Sequence, residues 1–379
     1  MKHEVFWKNP RYRERRPLIG DISCKYLIVG GGITGVSTAY FLAKLGVKDI
    51  VLVEKEHIAS GATGKAAGIL TPHAELDVKD MLRVLGKGKG LLWYHASLHA
   101  LQTMKYIIRK ERLRCDYEEE PTYYAALRGQ NVQTIFDEYR VIKQDHVQAY
   151  LLTHPGGEIA SPLLKRAIVI PYSASINPLV YTQELSLRLG REARVYEHTP
   201  VVEIRENIAK TPRGSVFFEN LIDARDFSSS IKGVQPCLTS IIVTERLTSE
   251  QLKQIENHGK LIFWNAKINY DYFKITKDNR LLAGFGDVRS KSLSGRVYMP
   301  HVWHLKREIK RLFPLFNVKI AYAWSGILGV TKDYLPIVRF LGKKIVLAGT
   351  SSQVVSTLLA QYTANRLTGE KQALDAIFT

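Results

Sequence analysis

Gly30-Gly31-Gly32-Ile33-Thr34-Gly35 is the stretch that decides the fold of this 379-residue chain. Residues 25–29, with Tyr-Leu-Ile-Val after a lysine, read as a short apolar strand leading into it. Beyond it a helix is predicted over residues 33–45, with Gly46 as its C-cap, and residues 49–53 form a second strand closing on Glu54. Gly30 permits a tight turn off the first strand, and Gly32 lets the backbone approach a pyrophosphate. Gly35 allows the helix to lie close to the sheet. The helix N-terminus offers free N–H groups and the positive end of its dipole to phosphate. Glu54 falls at the spacing from which an acid accepts hydrogen bonds from an adenosine ribose. Strand, turn, helix, cap and acid are all in register, so this is read as a dinucleotide site rather than a bare structural turn.

The residues that follow separate flavin from nicotinamide. A nicotinamide domain would continue into another crossover helix, whereas residues 57–70 form a loop rich in small side chains. Gly61, Ala62, Thr63, Gly64, Lys65, Ala66, Ala67, Gly68 and Ile69 crowd it. Such a backbone can lie against a flat ring system and offer N–H groups to its heteroatoms. At the far end, residues 344–348 read as a strand and Gly349-Thr350-Ser351-Ser352 as a small polar turn. A helix then starts at Gln353 and runs to residue 367, with Val355, Leu358, Leu359, Tyr362 and Leu367 on an apolar face and Gly369 ending it. Its N-terminus suits the pyrimidine edge of a flavin, where the dipole would stabilise negative charge. An ordinary capped core helix explains the same residues equally well.

Composition sets bounds. At 45% hydrophobic, the chain can bury one large or two interlocked cores. Cys24, Cys115 and Cys237 are far apart, too few for a four-thiolate cluster and in keeping with a reducing compartment. No metal site is expected; His95 and His99 share a helical spacing without a third ligand. No apolar run is long enough to span a bilayer, and residues 1–20 form a basic arm with Arg11, Arg13, Arg15 and Arg16 in place of a signal-peptide core. A cytoplasmic protein is expected. The formal net charge of +18 admits RNA or another anionic partner, but basic residues are scattered, with clusters only at residues 11–16 and 105–114. A solvated basic surface is the favoured reading.

Together these segments resemble the D-amino-acid-oxidase-like family of FAD-dependent oxidoreductases, which includes glycine/sarcosine oxidase and gamma-glutamylputrescine oxidoreductase. The likeness runs through residues 26–35, the Glu54-Lys55 pair, the loop at 60–70, Ile176-Asn177-Pro178-Leu179 and Ile242-Val243-Thr244-Glu245-Arg246-Leu247. It continues through Trp324-Ser325-Gly326, Thr331-Lys332-Asp333-Tyr334-Leu335-Pro336 and the Gly349 helix. The resemblance implies an α/β protein: a Rossmann-like FAD-binding domain with an interleaved substrate domain on a mostly antiparallel β-sheet. The expected division gives residues 21–90, 160–230 and 320–379 to the FAD domain, and 91–159 and 231–319 to the substrate domain. Residues 261–275, alternating around Phe263, Trp264, Tyr270, Tyr272 and Phe273, support such a sheet, with a turn at 276–280 and a further strand from Leu281. In family terms Val202 offers backbone contacts to the adenine, and residues 224–227 sit near the nucleotide. There Arg225 and Asp226 depart from the small residues of relatives.

Two further departures narrow the chemistry. Covalent attachment of FAD in relatives uses a His in the glycine-rich loop or a Cys near the late Trp segment. This chain has Lys65 and Ser325-Gly326 there, so FAD is expected to bind non-covalently, and His73 reads as a polar loop residue. Relatives acting on free amino acids often hold the carboxylate with an Arg where this chain has Leu328. The aromatic and cationic set Tyr270, Tyr272, Lys274 and Trp324 is left as the pocket wall, although alternate strand residues must face away and Lys274 could equally be a solvated lysine. The expected reaction is oxidation of a secondary or alkyl primary amine, or an N-substituted amino acid, by hydride transfer to flavin N5 and hydrolysis of the imine. The electron acceptor, oxygen or a redox partner, is left open. Alternatives are a flavin-dependent tRNA-modifying enzyme and a non-catalytic flavin-binding subunit of a redox complex.

Overall fold

Apolar strands such as Ile50–Val53, buried at every position, need cover on both faces, and a parallel sheet flanked by helices provides it. The computed structural model describes residues 1–73, 76–145, 147–153, 163–225, 231–255, 261–267, 269–289, 296–314 and 319–378. Its first sheet is centred on Ile22–Val29, which pairs in parallel with Ile50–Val53 on one side and Gly214–Asp223 on the other. Ala193–Tyr196 extends it beyond Ile50–Val53, and Lys344–Ala348 lies parallel to the last residues of Gly214–Asp223. Ile337–Leu341 closes that edge antiparallel, and a hairpin of Glu203–Arg205 and Ile208–Thr211 joins the start of Gly214–Asp223.

The helix after the glycine turn, Ile33–Lys44, packs against the C-terminal helix Gln353–Leu367, which in turn meets the long helix Lys87–Lys110. One apolar face was expected for Gln353–Leu367. Every residue from Gln353 to Ala360 is instead buried, Ser356 and Thr357 included. A helix enclosed by neighbours tolerates hydroxyls where they bond back to the preceding turn, as Thr357 does to Gln353 O at 3.0 Å.

The second sheet has eight strands in the order Ile320–Val330, Gln235–Thr244, Leu281–Val288, Tyr272–Ile275, Ile262–Asn265, Thr122–Leu127, Leu164–Ile170, Tyr150–Leu152. All its pairings are antiparallel except that of Ile262–Asn265 with Thr122–Leu127. Side-chain alternation gives it two characters. Tyr123, Phe263, Phe273, Ala283, Ile242 and Ala323 pack on one face beneath the helix Met299–Leu312. The opposite face turns toward the glycine-rich loop. A small sheet of Ile69–Leu70, Ala174–Ser175 and Glu118–Glu119 ties that loop in.

Two expectations are corrected. The stretch 57–70 is not irregular throughout: Ala62–Lys65 makes one helical turn and Ile69–Leu70 pairs as a strand. The basic cluster at 105–114 is partly internal, since Lys105 is buried and lies 3.9 Å from Glu119, which also bonds Arg109. Among the described residues no helix is long and apolar enough to cross a membrane.

Candidate functional site

The glycine turn leaves no room for side chains where it meets the fold. A Cβ on Gly35 would stand 2.0 Å from Gly30 O, and one on Gly31 2.8 Å from Glu54 Cβ. Gly30, at φ +114°, would bring a Cβ within 2.9 Å of Ala224 O. At Gly32 the nearest atom is Thr63 Oγ1, at 3.3 Å. Gly32 is also the N-cap of Ile33–Lys44 and brings no side chain to cap it. The helix start is therefore bare backbone, with Ile33 N–H held by Thr63 Oγ1 at 3.0 Å and Thr34 Oγ1 3.4 Å from Thr350 Oγ1. That last contact brings the Gly349 turn and the start of Gln353–Leu367 to the same place. Neither helix start is closed by its own side-chain cap, which suits a diphosphate.

Glu54 is buried at the end of Ile50–Val53. Its carboxylate accepts from Gly31 N–H at 2.7 Å and Glu56 N–H at 3.0 Å. Ser60 Oγ also approaches this carboxylate, at 3.5 Å, so of its about four acceptor positions one is left for a ribose hydroxyl. Lys55 points outward, 3.9 Å from Glu56. Bare helix start, Cβ-excluding cradle and buried acid are the donor and acceptor set an FAD nucleotide requires, and the residues present fit it.

The glycine-rich loop is fixed from outside by donors on three separate elements. Trp324 Nε1–H donates to Lys65 O at 2.9 Å, Trp7 Nε1–H to Ala66 O at 2.8 Å, and Lys274 Nζ lies 3.4 Å from Gly68 O and from Ile176 O. Gly64 and Gly68 are required by close approach, since a Cβ at either would sit 2.1 Å from a backbone oxygen, of Ala59 and Ile176 respectively. Gly61 stands in open space, Ala62 and Thr63 lie in the helical turn, and Ile69 pairs with Ser175. Gly326 faces the Lys65 side chain, with Cβ contacts from 3.2 Å. Gly349, at φ +70°, packs on Thr331, whose hydroxyl donates to Leu335 O at 2.7 Å. Ser351 precedes Ser352, which is the N-cap residue of Gln353–Leu367, and Ser356 N–H returns to Ser352 O.

The other residues expected near the nucleotide have surroundings of their own. Val202 is exposed and its N–H is committed to Lys210 O at 2.9 Å, leaving its carbonyl for any adenine contact. Arg225 folds back onto buried Asp223 in a two-pronged pair, at 2.8 and 2.7 Å, so its charge is matched locally. Asp226 and Phe227 lie outside the described residues.

Opposite the loop, strand register sets Trp324, Ile241, Gly284, Tyr272, Trp264, Tyr124 and Ile168 in one cross-strand row on the loop-facing side. Gly284 matters here: a Cβ would meet the Tyr272 ring at 2.0 Å, so its absence lets the phenol lie across the sheet. Tyr270 joins from the preceding turn, its ring 6.2 Å from Tyr272. Lys274 belongs to the next row with Leu282, Val243 and Tyr322. It is buried, not solvated, and burial holds its ammonium below the usual lysine range against the opposing pull of Glu120. All four proposed wall residues thus reach the loop-facing side. Leu328 lies on it too, half-buried and paired with Cys237.

Two residues were not foreseen here. His73 was expected to be a polar loop residue. It is buried against Tyr94 and Trp264, at 5.5 and 6.5 Å, and neither ring nitrogen has a hydrogen-bond partner among the described residues. Desolvation pushes its pKa down to about 4, against a smaller upward pull from Asp77, so the imidazole is neutral. Trp7 is the other. The signal available for it was an aromatic pair, Phe6-Trp7, within an otherwise polar arm.

The comparisons with known proteins agree with this geometry. Residues 25–366 match the family model of FAD dependent oxidoreductases known as DAO. The chain is 26% identical over 383 residues to gamma-glutamylputrescine oxidoreductase of Escherichia coli K12, covering 94% of this chain and 86% of that one. It is 27% identical over 206 residues to a Bacillus subtilis protein named as a Rieske 2Fe-2S iron-sulfur protein, covering 54% of this chain and only 40% of the relative. The crystal structure of glycine oxidase from Geobacillus kaustophilus superposes with a TM-score of 0.79 at 20% identity, over 93% of this chain and 96% of that one. With a family match that runs from residue 25 to residue 366, nearly the whole chain, this protein belongs to the DAO family of FAD-dependent oxidoreductases.

Proposed function

We propose that the protein oxidises the C–N bond of a secondary or alkyl primary amine, N-substituted amino acids included, on non-covalently held FAD. The observation carrying this reading is the aromatic row Trp324–Tyr272–Trp264–Tyr124, in register on the sheet face opposite the glycine-rich loop. Ring faces enclose methylene chains and attract cationic amines. Leu328 on the same face argues against carboxylate capture at that position, which favours amines over simple α-amino acids. The name of the Escherichia coli relative, an oxidoreductase of an alkylamine conjugate, points the same way. When bound, FAD supplies the two-electron acceptor for the hydride of the carbon next to nitrogen.

The protein's own part is to bind, orient and exclude water. Tyr272 and Trp324 form the wall beside the loop, and their burial removes solvent that would hold the amine protonated. Neutral His73 at the far end of the row offers one donor and one acceptor, suited to an uncharged polar group on the substrate's distal end. Lys274 braces the loop from beneath. The test is anaerobic reduction of the purified yellow protein by a panel of alkylamines, N-alkyl amino acids and free amino acids. Bleaching by the first two groups is expected; bleaching by free amino acids alone would overturn the substrate reading.

A further inference from the structure

The basic arm at residues 1–20 had no role in the sequence beyond its charge. In the structure it is built into the site. Lys2 N–H donates to Ala321 O at 2.7 Å and Ala323 N–H to Lys2 O at 2.9 Å, so the arm begins on the edge strand Ile320–Val330. Trp7 is then buried among Ile241, Val243, Leu282 and Trp324, with Ala67, Leu179 and Tyr272 packed alongside. Lys274 Nζ lies 5.2 Å from its ring centre. Further on, Arg11 meets Glu184 at 3.2 Å, Tyr12 OH and Arg15 N–H both donate to Glu197, and Leu18 N–H donates to Thr199 Oγ1.

We propose that Trp7 is a positioning residue for the flavin-binding loop, supplied by the arm. A trans peptide is planar, with its C=O and N–H on opposite sides. The indole N–H holds the Ala66 carbonyl at 2.8 Å, which turns the Ala67 N–H away from the indole. Ala66 N–H is already committed to Thr63 O at 3.3 Å, and Trp324 holds the Lys65 carbonyl at 2.9 Å. Ala67 N–H is thus the group whose direction Trp7 sets, available to the electron-rich edge of a flavin ring. No other arm residue among those described donates to this loop segment. The proposal rests on the FAD assignment and not on the amine reading, so the two fail separately.

The test compares Trp7→Phe, which keeps a ring and loses the N–H, and Trp7→Ala with Lys8→Ala, an exposed arm residue near Glu4. FAD dissociation constant, visible spectrum of the bound flavin and thermal unfolding of the flavin-free protein are measured. Trp7→Phe is expected to weaken FAD binding about 5-fold, the equivalent of one hydrogen bond, and to alter the fine structure of the flavin band. Its flavin-free midpoint should fall by no more than one unpaired buried carbonyl explains, and folded flavin-free protein is used for the affinity measurement. Trp7→Ala should weaken binding further, and Lys8→Ala should do neither. Wild-type affinity and spectrum in Trp7→Phe overturn the proposal, and should Trp7→Ala fail to fold, Trp7→Phe alone decides it. A parent protein that no amine bleaches leaves these readouts intact and refutes only the substrate reading.

Discussion

Gly35 has no space for a methyl group, because the Gly30 carbonyl occupies the place where its Cβ would stand. Gly35→Ala is expected to cost about 3 kcal/mol and to leave the protein colourless on purification, while Gly61→Ala, in open space, should purify yellow; denaturant titration and flavin content check both. His73 allows a prediction in pH. Its folded pKa of about 4 lies below the ordinary 6.5, so as pH falls the unfolded chain takes up a proton first. Stability from this group is intact above 6.5 and is lost between 6.5 and 4, by roughly 3 kcal/mol if nothing else compensates. His73→Phe should flatten that acid limb in urea midpoints measured from pH 7 to 4; an unchanged slope counts against it. The glycines were legible because their constraint is local, a turn between adjacent elements. His73 was not, since its burial depends on Tyr94 and Trp264, which lie far along the chain.

At the scale of elements, the strands and helices around the turn were readable from periodicity, to within a few residues at their ends. The aromatic row was not. Tyr272 and Trp264 were visible as aromatic positions, but whether they face the loop depends on the pairing of Trp264 with Tyr124 and of Tyr272 with Gly284. Register between distant strands flips a whole face with a one-residue slip, and periodicity within one strand cannot fix it. The gap at Gly284 provides a test. Gly284→Ala would force the Tyr272 ring from its place, and the KM for the best amine is expected to rise about tenfold with a smaller effect on the unfolding midpoint. A variant that loses stability while keeping KM would remove Tyr272 from the wall. The same reasoning explains why Lys274 resisted assignment: on a half-buried strand a lysine is normally solvated, and here the overlying loop, Ile176 and Trp7, all distant in sequence, enclose it.

Over the whole molecule, the proposed nucleotide site draws on distant segments, from Gly30 to Gln353, with the arm and the second sheet both bonded to the glycine-rich loop. Ligand that binds only the folded form adds stability by mass action, about 2.7 kcal/mol at a hundred times its dissociation constant. Calorimetry should therefore show a higher, FAD-concentration-dependent melting temperature for both sheets together. A transition of the second sheet that ignores FAD would show the two halves to be energetically separate. Some of the 54 basic residues are matched within the fold, as Arg225 is by Asp223 and Arg15 by Glu197, but the net charge of +18 already counts such pairs.

The placement of Lys344–Ala348 beside Gly214–Asp223 has a consequence for synthesis. The glycine turn leaves the ribosome early, yet the parallel sheet lacks this flanking strand, and the helix behind it, until some three hundred further residues have been made. At about 5–20 residues per second the nascent chain carries uncovered strand edges for on the order of half a minute. Chaperone dependence and loss of flavin in chains interrupted before residue 344 follow from that order of assembly, even though such chains retain the entire glycine turn.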